Sequence, residues 1–107
     1  KNIGKDKQLV LADQIPTAGQ IASKTLAQND AVSITLFPFE KGEEISTNAS
    51  GGDAMVQVLE GTGRFTVGGE AHLLSAGESI VMPAGVPHAV FGQERFKMLL
   101  TVVFPEE

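Results

Sequence analysis

"SIVMPAGVPHAVFG", residues 79–92, sets two short apolar runs on either side of a five-residue turn with a proline at each end and a glycine at its centre. Proline fixes its own φ and glycine tolerates backbone angles that other residues avoid, so "PAGVP" (83–87) reads as a stiff reversal between two β-runs. His88 stands at the exit of that reversal, where the turn sets its direction. It is one of only 2 histidines in the chain, so its placement there is informative. Aimed between two sheets, its imidazole sits in the mouth of a barrel, a position suited to holding a ligand, acting as a base or anchoring a hydrogen bond.

The rest of the chain can be read outward from this turn. Glycine and proline punctuate the second half every few residues, with short alternating or branched apolar runs between them, which is the signature of an all-β sandwich or barrel. "AVSITLFPF" (31–39) alternates as a strand, and "AMVQVLE" (54–60) is another. "RFTV" (64–67) is expected to pair back on it across Gly61-Thr62-Gly63. Gly68-Gly69 turns the chain again into "EAHLL", and "SIVMP" and "HAVF" flank the opening turn. "RFKMLLTVVF" (95–104) is the last strand and is apolar on both parities through Leu99, Leu100, Val102 and Val103. Its second face therefore calls for cover by a partner or by the N-terminal segment. Near the start, "KQLVLADQIP" reads as a strand and one helical turn ending before Pro16, and "GQIASKTLAQ" as a strand with a polar outer face. No repeat, linker or low-complexity segment is visible.

Composition bounds the function classes. At 107 residues the chain fits one domain, residues 1–107, with 42% hydrophobic and 20% charged residues, a globular balance. A formal net charge of −5 repels phosphate backbones, so nucleic acid is not an expected partner. With no cysteine, disulfides and thiolate chemistry are excluded. No run is long enough to span a membrane and no signal peptide is visible, so a cytoplasmic address is the default expectation; the chain opens on Lys1 rather than methionine, so its true start is left open.

"GESIVMPAGVPH" (77–88) resembles the second conserved motif of the cupins: Gly77, five residues, Pro83, one residue, Gly85, two residues, His88. The motif's closing asparagine falls at Gly92 and is absent. The first cupin motif resembles the stretch from Gly42 to Gly61, with its two histidine positions at Asn48 and Ser50 and its glutamate position at Ala54. The resemblance implies a cupin-type double-stranded β-helix, a jelly-roll barrel, with its core at about residues 31–104 and an N-terminal strand extension over 1–30. It also implies a homodimer.

The departures from the motif shape the functional expectation. Metal-bearing cupins are similar to one another in using three histidines and a glutamate, but this chain offers Asn48, Ser50, Ala54 and His88. Only the imidazole is an ordinary ligand for such ions, so no metal site is expected; the alternative is one divalent ion at His88. Asp53 is one residue out of phase with the glutamate position. What remains is a pocket with an apolar wall from Ala54, Val56, Val58 and Met82, extended by Phe39, Phe96, Met98 and Leu100. His88, Asn48, Ser50 and Gln57 are the candidate polar contacts, although Gln57 alternates with Ala54 and is as readily turned outward. His72 reads as a surface or strand-packing residue, and "GGD" (51–53) as a plain loop.

Three functions compete. The first is the binding of a small organic molecule without a transition metal. The second is an enzyme, either an isomerase or epimerase with His88 as base and a carboxylate to orient it, or a metal-dependent oxygenase or decarboxylase. The third is a structural or interaction role through the dimer surface.

Overall fold

The computed structural model describes residues 8–14, 23–47 and 51–105. The expected all-β architecture is present as two antiparallel sheets packed face to face in a jelly-roll barrel. The strands are β1 (Lys24–Gln28), β2 (Val32–Phe39), β3 (Glu44–Thr47), β4 (Asp53–Glu60), β5 (Thr62–Val67), β6 (Glu70–Ser75), β7 (Ser79–Met82), β8 (His88–Gly92) and β9 (Phe96–Val103). One sheet has the order β1-β2-β9-β4-β7 and the other β3-β8-β5-β6. Among the described residues no helix is long and apolar enough to cross a membrane.

Alternation along the strands sorts side chains between the faces. In β4, Ala54, Val56 and Val58 are buried while Asp53 and Met55 are exposed. In β9, Phe96 and Met98 point into the barrel, and Leu99 points out. Leu99 is covered on that outer side by a second, smaller apolar cluster, in which Leu26 of β1, Leu36 of β2 and Leu11 meet. Leu11 belongs to a single 3₁₀ turn (Leu11–Asp13). Lys97, only 8% exposed, pins that turn by donating from Nζ to the Ala12 carbonyl at 2.5 Å and pairing with Glu60 at 3.3 Å. The chain's own N-terminal segment thus supplies part of the cover that the double-sided last strand requires. The predicted strand before the turn is not formed at residues 8–10.

Two connections differ from the sequence reading. The segment "RFTV" does not pair with β4. β4 lies between β9 and β7 in one sheet, while β5 pairs with β6 and β8 in the other. Gly61 is where the chain leaves one sheet for the other. A bulge between Val58 and Glu60 precedes it, and its φ is +77°. A Cβ on Gly61 would run into the Arg95 carbonyl oxygen and the Phe96 backbone, so no other residue fits. The true hairpin is β5–β6, where Gly68 and Gly69 form the two-residue turn with φ of +58° and +87° between the paired Val67 and Glu70. The second difference is β3. "EIST" sits within a charged stretch that gives a weak signal, yet it pairs with β8 at the sheet edge.

One end of the barrel is plugged by aromatic rings. Phe39 and Phe96 stack with centroids 4.7 Å apart, and Phe65 meets Phe96 edge-on at 5.9 Å. Gly63 makes room for this group, because a Cβ there would lie 2.8 Å from the Phe96 ring.

Gly61→Ala is expected to cost about 3 kcal/mol or more in urea unfolding, since it adds left-handed strain to a backbone collision. Gly69→Ala shares the positive φ but meets open space, and is expected to cost only about 1–2 kcal/mol. Equal losses at the two positions would show that crowding at the sheet switch is unimportant.

Candidate functional site

Away from the aromatic plug, the two sheets enclose a cavity of about 240 Å³. The five-stranded sheet contributes Phe37 and Phe39 from β2, Met98, Leu100 and Val102 from β9, Ala54 from β4 and Met82 from β7. The four-stranded sheet contributes Ile45 from β3 and His88 and Val90 from β8. Ala54 pairs directly with Met82 on one side and Val102 on the other, so these three form one cross-strand row of wall. His88 is half-buried and, among the described residues, is the one polar side chain in the lining.

The stiff turn carries His88 from β7 in one sheet to β8 in the other. Gly85 has a φ of +77°, and the Val86 N–H reaches the Pro83 carbonyl at 3.4 Å. The turn is tied from both sides. The Asp53 carboxylate accepts the Ala84 N–H at 2.8 Å, and the Pro87 carbonyl accepts the Gly68 N–H at 2.9 Å. Within this frame His88 Nδ1 lies 3.3 Å from the Val86 carbonyl oxygen. No ion pair to His88 occurs among the described residues.

The predicted site residues divide as follows. His88, Ala54 and Met82 meet at the cavity. Gln57 does not join them, which corrects its assignment as a pocket contact. It lies between inward Val56 and Val58 and pairs with Leu99 and Ser79, so period-two alternation turns it to the other face. Asn48 and Ser50 lie outside the described residues. Asp53, out of phase with Ala54, serves the turn rather than the cavity. Of the expected wall residues, Phe39, Met98 and Leu100 line the cavity, whereas Phe96 forms the plug and Val56 and Val58 are packed into the core where β6 faces β4.

Sequence reading missed Phe37, Ile45, Val90 and Val102. Phe37 and Val102 were detectable, because each is two or four residues along its strand from a residue already assigned to the wall. Ile45 was hidden with its strand.

His72 is on β6 opposite Phe65, partly exposed, 3.7 Å from the Glu70 carboxylate. Among the described residues no three His, Cys, Asp or Glu side chains converge. At the position where the metal-bearing cupins place a glutamate, a buried methyl faces Met82. That donor set does not fit their transition metal.

The cupin domain model matches residues 35–104. A conserved protein of unknown function from Streptococcus pyogenes is 42% identical, over 100% of this chain and 95% of that one, with a TM-score of 0.92. A cupin superfamily protein from Desulfitobacterium hafniense is 34% identical, over 98% of this chain and 97% of that one, with a TM-score of 0.89. A salicylate 1,2-dioxygenase from Pseudoaminobacter salicylatoxidans is 22% identical, over 78% of this chain and 26% of that one, with a TM-score of 0.72, a likeness of fold alone. No match was found among curated proteins. The match of the cupin domain model over residues 35–104 and the two relatives at 42% and 34% identity place the chain in the cupin family.

Proposed function

We propose that this cupin holds one small organic molecule in the mouth of its barrel, without the transition metal of the metal-bearing cupins. The observation that carries this reading is the cavity of about 240 Å³ whose lining, among the described residues, is apolar except for a single imidazole. Each Å² of apolar guest surface removed from water there contributes roughly 25 cal/mol. Pockets for drug-sized ligands measure roughly 300–1,000 Å³, so the guest here is smaller, on the scale of one ring.

The competing readings receive less support. A base that abstracts a proton in an epimerase is oriented by a carboxylate, and the candidate taken from the first motif, Asp53, accepts the Ala84 N–H instead. A purely structural barrel has its interior filled, whereas here filling stops at the phenylalanine plug. The expected homodimer is part of the proposal as well: Met55, Val81 and Val103 remain 40%, 58% and 56% exposed on the outer face of the five-stranded sheet. Met55 pairs with Val81, so two of them form one cross-strand patch that a second copy can cover.

Ala54→Leu fills the cavity mouth. It is expected to leave Tm within a few degrees of the parent and to weaken binding of toluene, followed by NMR titration, at least about tenfold. Unchanged toluene affinity in that variant would place the guest elsewhere. Elemental analysis of the purified protein is expected to find iron, manganese, zinc and nickel far below one per chain. EDTA is expected to leave Tm unmoved, because a bound metal stabilises only the state that binds it. A stoichiometric ion lost in His88→Ala would overturn the metal-free reading. In sedimentation velocity the parent is expected to run as a dimer and Val81→Glu as a monomer; a monomeric parent would refute the dimer.

A further inference from the structure

We infer that His88 meets its guest as a hydrogen-bond acceptor, so that the cup takes neutral, mainly apolar molecules that carry a hydroxyl or N–H donor, as simple phenols and alcohols do. The inference rests on the cup reading above and adds the chemical class of the guest.

The reasoning starts from the Val86 carbonyl, which lies 3.3 Å from His88 Nδ1. A carbonyl oxygen can only accept, so Nδ1 is the nitrogen that carries hydrogen. Turning the ring over would bring a C–H to that oxygen and forfeit the bond. Moving the proton to Nε2 would leave two lone pairs facing each other. The carbonyl itself is held in place, because the turn around it is fastened at Ala84 by Asp53 and at Pro87 by Gly68. In the neutral ring the other nitrogen, Nε2, then presents a lone pair. Among the described residues none donates to Nε2, and every other side chain lining the cavity is apolar.

Guests are sorted accordingly. A hydroxyl or N–H on the guest replaces its lost water by bonding to Nε2. A guest with acceptors alone gives up water and finds no donor, which is unfavourable in a dry site. A carboxylate would also bury a charge with no cation in the described lining. The Val86–His88 contact is thus a positioning device that sets specificity one residue removed from the guest.

The test uses phenol and toluene, which share a shape, and benzoate as the charged probe, titrated at pH 8 into the full chain and into His88→Phe. Benzoate is expected to bind weakest to the parent. The phenol-to-toluene affinity ratio is expected to fall about fivefold or more in the variant, because the buried hydroxyl loses its partner. In the parent, long-range ¹H–¹⁵N spectra of the imidazole are expected to show the Nδ1–H tautomer, a readout that does not depend on the variant folding. Toluene binding with an unchanged ratio would overturn the acceptor role while leaving the cup intact. An Nε2–H tautomer would do the same. Failure of both toluene and phenol to bind the parent would bring down this inference and the cup reading together.

Discussion

The stacked rings of Phe39 and Phe96, capped edge-on by Phe65, decide which end of this barrel is solid and which is hollow. All three rings are fully buried. They fill the space between the sheets at the end where Gly61 switches the chain from one sheet to the other, and Gly63 admits them by having no side chain. Toward the other end Ala54 and Val102 set small side chains on adjacent strands, beside the cavity. A cavity results where side chains from the two sheets no longer fill the space between them. The stacking also anchors β2 to β9, whose eight-residue pairing from Val32–Val103 to Phe39–Phe96 is the longest ladder among the described residues.

The residues that shape the family scaffold are distinct from those at the metal-ligand positions of the metal-bearing cupins. Gly42, Gly61, Gly77 and Gly85 of the two motifs all adopt positive φ, so each answers to a backbone demand that persists whatever the site does. The positions that would grip a cation carry no such demand. Ala54 is free to serve the wall, and its pairing with Met82 and Val102 makes it part of a continuous apolar row. A barrel can therefore keep its turns and lose its donor set without losing its shape.

How far the sequence could be read follows from which interactions are local. The strands around the opening turn were legible because proline and glycine punctuate them, and the inward set of β4 followed from alternation alone. Gln57 shows both the strength and the hazard of that rule: phase argued against it, and phase was right. The pairing of "RFTV" with β4 was misread because Gly61-Thr62-Gly63 looks like a hairpin turn when only local signals are weighed. What sends β5 to the other sheet is the bulge at Val58–Glu60 and the crowding of Gly61 by Arg95 and Phe96, residues more than thirty positions away. β3 was missed for the opposite reason. Its edge position and its Glu-rich surroundings mask the alternation around Ile45.

Asp53 and Ala54 illustrate how a single step along a strand divides support from contact. Their Cβ atoms point to opposite faces, so the methyl enters the cavity wall while the carboxylate turns to the Ala84 N–H. That bond spans 31 residues and fastens the start of β4 to the turn that delivers His88. The imidazole therefore inherits its placement from a carboxylate it never touches, through a peptide segment stiffened at both ends by proline. A base would need that carboxylate on its own ring. The proposed binding role asks only that the ring keep one orientation, and the Val86 carbonyl at 3.3 Å in a turn tied to Asp53 favours one.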